Sequence, residues 1–338
     1  MKHSWYSIFL DRVQHSQPLQ VIDSEIMISS TRVELVEFVL GELLPLLPKK
    51  LPDNDHNFTC VIEYSHTANV LFPDVFDDFK ESDGKDISSA ELGDAVLYCL
   101  NTELLIIQKD VGSFYHDSQG NFLILVDSDT LIFSEGKRLN IQGLLNLMIS
   151  EVLLLTGKLL VHAGGVGDGE HCFLWTGQSG SGKTTQTLSM VSKGFDFYGD
   201  DQIIVGQGKD KMWYAWPFWR AIKVSRDSLQ NFDDPRLLSK DVPEVGGKVV
   251  INDIERALKT QKPGCGKIAA INLIVAKETG ILEELNLTTA FERISPCFLH
   301  AFQPTTLMHT MEELMDLLSA VPVRAVSWDM LDNVVGDG

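Results

Sequence analysis

The chain has 338 residues, of which 44% are hydrophobic and 22% charged, a composition that supports a buried core and excludes a disordered or collagen-like chain. Its 47 acidic residues outnumber its 28 basic residues, and the resulting net charge of −19 disfavours nucleic acid and anionic membrane surfaces as partners. A nucleotide stays compatible with this charge, because a phosphate site needs only a local positive potential.

No apolar segment approaches the ~18 to 20 residues of a membrane span. The first residues also lack the apolar core of a signal peptide. We therefore expect a cytoplasmic protein without a membrane partner. At about 150 residues per domain, the length predicts two domains.

Residues 1–150 are predicted to form a small α+β domain. Apolar residues at helical spacing predict a helix over 31–47, and alternation predicts a strand over Phe58–Tyr64. Three or four short apolar runs between 103 and 134, separated by turn residues, indicate an antiparallel meander. A buried helix is predicted over 140–156.

Within this domain, residues 74–94 carry eight acidic side chains around a glycine. Such a charge run is typical of a solvated loop, and we interpret the segment as an acidic loop. A docking surface for a basic partner is the alternative interpretation.

A second domain is predicted over 151–338. Apolar runs predict strands over 159–163 and 172–175, with Gly164–Gly169 between them as a hairpin turn. Although this turn is rich in glycine, it lacks the GxGxxG order followed by a helix, so a plain turn is the preferred interpretation.

A complete phosphate-binding motif, GxxxxGK[ST], follows the second strand. Glycines allow successive N–H groups to converge on phosphate oxygens, and the N-terminus of the helix predicted over 184–192 adds positive potential. The pattern predicts that Lys183 meets the β- and γ-phosphates and that the Thr184 hydroxyl binds Mg²⁺, so ATP and Mg²⁺ are the expected cofactors. The predicted nucleotide-binding residues are Gly177, Gln178, Ser179, Gly180, Ser181, Gly182, Lys183, Thr184 and Thr185.

Two adjacent carboxylates, Asp200 and Asp201, follow 17 residues after Lys183, which is one helix and one turn later. This separation predicts that they lie at a strand end facing the phosphate-binding loop. One carboxylate of such a pair can organise Mg²⁺ while the other accepts the proton of an acceptor hydroxyl. His162, in the strand before the loop strand, is predicted to tune or neutralise one of the two.

Three basic residues further along the chain are candidate contacts for phosphate or for the acceptor. They are Arg220, Lys223 and Lys248. Lysine and arginine are common on any protein surface, so an ordinary surface position is an equally weighted alternative for each.

Three segments together resemble the catalytic domain of the bacterial HPr kinase/phosphorylase family: Val161-His162-Ala163, the loop from Gly177 to Thr184, and Gly199-Asp200-Asp201. The resemblance implies an α/β P-loop kinase domain whose fold is similar to that of phosphoenolpyruvate carboxykinase. It implies that Lys183 binds ATP phosphates and that Thr184 and Asp201 lie on the metal side. It also implies that Asp200 is the base towards a protein serine, assisted by His162.

The sequence thus favours an ATP- and Mg²⁺-dependent kinase that phosphorylates a hydroxyl, with a serine of a protein or peptide as the preferred acceptor. A nucleotide-binding regulatory protein without phosphotransfer is one alternative, favoured by the lack of the family's second signature, a glycine-rich stretch with Glu and Arg. A small-molecule kinase is another. Whether the chain forms a homo-oligomer is left open.

Overall fold

The computed structural model describes residues 12–22, 24–45, 47, 56–64, 79, 84–89, 93–100, 103–108, 111–117, 120–127, 141–178, 180–225, 244–245, 247–251, 253–275, 279–297, 304–327 and 329–330. The chain divides into two compact units. Unit 1 consists of Met1–Pro45, Lys50–Thr156 and Ala301–Leu307, and unit 2 of Leu46–Lys49, Gly157–His300 and Met308–Gly338.

Unit 1 is built on an eight-stranded sheet in the order β1-β2-β3-β8-β7-β6-β5-β4. The parallel pairs are β2 with β3 and β3 with β8, and the other pairs are antiparallel. Its strands are β1 (His15–Val21), β2 (Ser24–Ser30), β3 (His56–Tyr64), β4 (Lys85–Ser89), β5 (Gly93–Leu100), β6 (Glu103–Gln108), β7 (Gly112–His116) and β8 (Asn121–Val126).

Two helices pack on this sheet, α1 (Val33–Leu43) against β1 to β3 and α2 (Gln142–Leu155) against β7. The predicted helices and the strand at 58–64 are confirmed, as is the antiparallel meander of β6, β7 and β8. The fourth run of the meander, at 130–134, lies outside the described residues. The predicted domain boundary at 150/151 falls inside α2, and the division between the units follows that helix, at Thr156/Gly157.

The interpretation of 74–94 as one acidic loop is wrong for its second half. Strands β4 and β5 pair there as an antiparallel hairpin, with Asp86 opposite Val96 and Ser88 opposite Asp94. An acidic residue is tolerated in a strand when its neighbours across the ladder are apolar or small, so charge density alone did not exclude pairing. Phe79, in the first half, is buried, and residues 74–78, 80–83 and 90–92 lie outside the described residues.

A buried carboxylate at the end of β3 fixes the start of α1. Glu63 accepts hydrogen bonds from the Ser30 hydroxyl at 2.8 Å, the Thr31 hydroxyl at 3.0 Å and the Thr31 N–H. A negative charge next to the first turn of a helix is favourable, because the helix dipole places partial positive charge there. This contact therefore ties the sheet of unit 1 to its first helix.

Helix α2 is apolar on nearly every side but buries a carboxylate, Glu151, next to His116 of β7. The Nδ1 atom of His116 lies 3.8 Å from Oε2 of Glu151. Burial raises the pKa of Glu151 to about 7 and lowers that of His116 to about 4. Both groups are therefore held closer to neutrality than they would be in water.

Replacing Glu151 with glutamine should change how the stability of unit 1 depends on pH. The folded pKa near 7 exceeds the ordinary value of 4.5, so ionisation of Glu151 destabilises the folded state increasingly as pH rises through this range. We expect Glu151→Gln to be more stable relative to wild type at pH 8 than at pH 5, by about 3 kcal/mol. Urea unfolding followed by far-ultraviolet circular dichroism measures the difference.

The matched control is Glu37→Gln, which alters an exposed glutamate on α1 in the same unit. This variant should show no pH-dependent difference from wild type. An equal response of the two variants to pH would contradict a buried, perturbed Glu151. His116 contributes with the opposite sign between pH 4 and 6.5, and its contact with Glu151 couples the two groups. The stability of the variants is therefore also compared between pH 6.5 and 8, above the range in which His116 contributes.

Unit 2 holds a second, nine-stranded sheet, with the order β12-β10-β11-β18-β14-β13-β9 and with β20 joining β18 to β19. Strand β18 runs parallel to β11 and β20, and the other pairs are antiparallel. Its strands are β9 (Lys158–Val161), β10 (Gly164–Gly167), β11 (His171–Thr176), β12 (Asp196–Gly199), β13 (Ile203–Gln207), β14 (Trp213–Pro217), β18 (Gly266–Ile274), β19 (Leu282–Glu284) and β20 (Val323–Val326).

A separate three-stranded sheet, ordered β15-β17-β16, consists of β15 (Ile222–Val224), β16 (Glu244–Val245) and β17 (Lys248–Ile251). The remaining helices are α3 (Lys183–Ser192), α4 (Ile254–Leu258), α5 (Leu287–Ile294), which a 3-10 turn extends, and α6 (Pro304–Ala320). Helix α3 packs on β10, β11 and β12. Within the part of the chain just described, no helix is both long and apolar enough to cross a membrane.

The predicted hairpin turn at 164–169 is mostly a strand. Residues Gly164–Gly167 form β10, which pairs with β11 on one side and β12 on the other, while β9 pairs with β13 instead of β11. Side chains at Gly164 and Gly165 would overlap Thr187 of α3 and Ile203 of β13. These glycines allow close packing around a strand of the sheet. Composition alone does not distinguish such glycines from those of a turn.

The architecture as a whole is mixed α/β and dominated by strands, with few helices. The second strand predicted before the phosphate-binding motif is confirmed as β11, and the helix after the motif is confirmed as α3. Near the C-terminus, helix α6 is followed by strand β20, which pairs with β18 and β19.

Candidate active site

The GxxxxGK[ST] motif lies between β11 and the first turn of α3. Gly177, Gly180 and Gly182 have φ values of 146°, 78° and 97°, a region that favours glycine. A Cβ at Gly177 would also lie 3.1 Å from the backbone oxygen of Ile274 in β18. These glycines are required by the backbone path of the loop. Ser179, one of the predicted binding residues, lies outside the described residues.

Lys183 is the first residue of α3, and its side chain folds back over the loop. Its Nζ atom donates to the backbone oxygens of Gly177 at 2.8 Å and Gln178 at 3.3 Å. The side chain is only 7% exposed, and burial lowers the pKa of its ammonium group. The loop therefore surrounds a buried positive charge, which suits an anionic ligand.

The next residue, Thr184, contacts the first carboxylate of the adjacent pair. Its hydroxyl donates to Oδ2 of Asp200 at 3.0 Å. The second oxygen of that carboxylate, Oδ1, is buried and has no hydrogen-bond partner among the residues that the structure describes. A buried carboxylate oxygen without a partner is costly, so it marks a position where a proton or a cation would be stabilised.

The pKa of Asp200 depends mainly on how deeply its carboxyl group is buried. Burial is the largest influence and raises its pKa to about 7. The hydrogen bond from Thr184 and the positive charges of Lys183 and Lys248 lower that pKa, while the negative charge of Asp201 raises it. The charges of the two lysines thus oppose the effect of burial on this carboxylate.

Asp201 points the other way and contacts His162. The two side chains approach to 3.2 Å, between Nδ1 of the imidazole and Oδ1 of the carboxylate, and the Asp201 side chain is 55% exposed. The backbone N–H of His162 donates to the backbone oxygen of Cys297 at 2.7 Å, which holds the end of β9 against the turn after α5.

The resemblance assigned Thr184 and Asp201 to the metal side and gave His162 the role of assisting Asp200. The structure brings Thr184 into contact with Asp200 and His162 into contact with Asp201. Both aspartates lie in the turn between β12 and β13, where the Oδ1 atom of Asp200 is buried and the side chain of Asp201 is exposed.

Of the three basic candidates, Lys248 is exposed on β17, and its positive charge lowers the pKa of Asp200. Lys223 is exposed on β15, and Arg220 is partly buried directly after Trp219. One neighbour of the site had no signal in the sequence: Cys297, whose negative form would raise the pKa of Lys183. It lies far along the chain and carries no motif, so only the fold brings it here.

The site fits Mg²⁺ held together with a nucleotide. Among the residues that the structure describes, no three or more His, Cys, Asp or Glu side chains cluster to hold a metal by themselves. Mg²⁺ commonly binds one or two carboxylates together with substrate phosphates and water. The Thr184 hydroxyl and the adjacent carboxylates of Asp200 and Asp201 are oxygen groups of that kind.

Comparison with solved structures finds a weak, partial likeness. The chain is similar to the Hpr(Ser) kinase/phosphatase from Coxiella burnetii, with 11% sequence identity and a TM-score of 0.28. The likeness covers 50% of this chain and 84% of that chain. No protein-family model and no curated protein matches the sequence.

Proposed function

We propose that this protein is an ATP- and Mg²⁺-dependent phosphotransferase that moves the γ-phosphate to a hydroxyl group. The observation that carries the proposal is the contact between Thr184, at the end of a complete phosphate-binding motif, and the buried carboxylate of Asp200. A second carboxylate, Asp201, follows immediately. A protein that only binds nucleotide needs a single carboxylate on the metal, so the pair supports chemistry in addition to binding.

In this proposal the residues have distinct roles. Lys183 and the loop N–H groups bind the β- and γ-phosphates, and Thr184 ligates Mg²⁺, as the loop motif indicates. A Mg²⁺ ion bound with the nucleotide neutralises phosphate charge during transfer. The preferred acceptor is a serine hydroxyl of a protein or peptide, and a small molecule with a hydroxyl is the second candidate.

The proposed general base is Asp200. Its Oδ2 atom is held by the Thr184 hydroxyl, which leaves the buried Oδ1 atom available to accept a proton. In this assignment Asp201 lies on the metal side and His162 supports the pair.

The opposite division also has support from the contacts. Asp200 touches the metal-binding threonine, whereas Asp201 is more exposed and is oriented by His162, as a base facing an incoming acceptor would be. Separate substitution of the two aspartates distinguishes these assignments, as described in the Discussion.

The proposed function is tested with ATP labelled on the γ-phosphate. Purified protein with Mg²⁺ should bind ATP in a calorimetric titration and should transfer label to a member of a panel of serine peptides and small hydroxyl compounds. Slow release of labelled phosphate to water is the minimal reaction expected. Binding without any transfer or release would instead favour the regulatory alternative, and no nucleotide binding would contradict both.

A further inference from the structure

Helix α6 has apolar side chains on two adjoining faces, and only one of these faces is buried. The buried face consists of Leu314, Leu317 and Leu318. Three methionines lie at the surface, where Met308 is 65%, Met311 44% and Met315 37% exposed. They are three and four residues apart, so they share one side of the helix. We call these three residues the methionine stripe.

The methionine stripe borders the buried face. Met311 and Leu318 are separated by about two helical turns, so they lie almost in line along the helix axis. The apolar arc of α6 is therefore wider than the part that the protein itself covers. Single exposed apolar side chains are common, whereas a row of them on one helix face is typical of a binding surface. Methionine suits such a surface because its unbranched side chain adapts to the shape of a partner.

Acidic side chains lie along the other edge of the methionine stripe. Glu312 and Asp316 are exposed, and they directly follow Met311 and Met315 in the sequence. Each acidic residue is therefore displaced by about 100° around the helix from the methionine before it. The sequence of Pro304–Ala320 contains no lysine or arginine. The methionine stripe is thus an apolar row with negative potential along one side.

These charges decide which kind of molecule can cover the methionine stripe. In an antiparallel pair of copies of this chain, the acidic edges of the two helices would face each other, and each copy has a net charge of −19. A surface of anionic lipid would be repelled for the same reason. A positively charged helix, in contrast, would be attracted to the acidic edge while its apolar side packs on the methionines.

We propose that the methionine stripe is a docking site for a basic amphipathic helix of a partner protein. Leucine-like side chains of that helix would cover Met308, Met311 and Met315, and its lysine or arginine side chains would lie beside Glu312 and Asp316. This inference concerns a surface of α6 and does not depend on the proposed phosphotransferase activity.

The experiment uses a fluorescent model peptide of leucine and lysine, patterned so that leucine occupies one face of a helix. Its anisotropy is measured as the full-length protein is added. Replacing Met308 and Met311 together with glutamine should weaken binding by about tenfold, because two apolar contacts are lost. Replacing Glu312 with glutamine and Asp316 with asparagine should weaken it about threefold at ~0.05 M salt, and this difference should vanish near ~0.5 M salt.

The control variant is Met212→Gln, which changes a methionine of unit 2 that is 39% exposed and lies outside α6. It should bind the peptide as wild type does, and a peptide with glutamate in place of lysine should not bind wild type. Equal affinity of wild type and the double methionine variant for the basic peptide, or no binding to wild type, would overturn the proposal. Self-association of wild type that the double methionine variant loses, measured by analytical ultracentrifugation, would instead assign the stripe to contact between copies.

Discussion

Replacing Lys183 with alanine should weaken binding of Mg·ATP by about 3 kcal/mol, or roughly a hundredfold. The ammonium group of Lys183 is buried at the start of α3, where few water molecules can replace it. A triphosphate in the loop would then face the backbone N–H groups without a neutralising cation. Calorimetric titration of the variant with ATP and Mg²⁺ measures the loss.

The same substitution should not destabilise the free protein. Burial lowers the pKa of Lys183, which means that the fold disfavours its charge and keeps it at a cost in stability. The control is Lys193→Ala, an exposed lysine that follows the same helix. Thermal unfolding of both variants separates a binding defect from a folding defect, and unchanged ATP affinity in Lys183→Ala would refute the phosphate-binding role of the loop.

Replacing Asp200 with asparagine should reduce phosphoryl transfer by about 10² to 10⁴, the usual effect of losing a general base. The amide oxygen can still accept the hydrogen bond from Thr184, so the local structure and the affinity for ATP should change little. An amide cannot take the proton of the acceptor hydroxyl. Single-turnover transfer of labelled phosphate, with water as the acceptor if no other is found, measures the rate.

Asp201→Asn is the matched variant for this experiment. If Asp201 lies on the metal side, its loss raises the Mg²⁺ concentration needed for half-maximal nucleotide binding, and saturating Mg²⁺ restores the rate. The reverse result, with Mg²⁺ dependence in Asp200→Asn and a lost rate in Asp201→Asn, would exchange the two roles. Full transfer activity in Asp200→Asn shows that it is not the base.

The phosphate-binding motif could be read from the sequence because all its requirements are contiguous. The glycines at positive φ, the lysine and the threonine lie within a few residues, between an apolar strand and a helix, so local backbone geometry decides the arrangement. The helices α1 and α2 and the meander strands were also predictable, since each has its own hydrophobic period.

Features that depend on tertiary packing were not predictable in the same way. The glycine-rich sequence of β10 was interpreted as a turn. These glycines are needed because α3 approaches the strand closely, and the residues of α3 lie further along the chain. The pairing of Asp200 with Thr184 depends on how the β12–β13 turn is set in the sheet. The position of β17 depends on the apolar core that attaches it to α3, so the sequence could name Lys248 only as one of three basic candidates.

The direct contact between α3 and β10 limits how this protein can be redesigned. Between Gly164 and Thr187 there is no layer of side chains, so the distance from the helix to the sheet is set by backbone and one hydroxyl. A core substitution is usually accommodated when neighbouring side chains repack. At Gly164 the helix contacts the strand directly, so no intervening side chain is available to repack. Changes to the candidate site would therefore have to be made in the surrounding strands and hairpins, with α3 and its contact to β10 left unaltered.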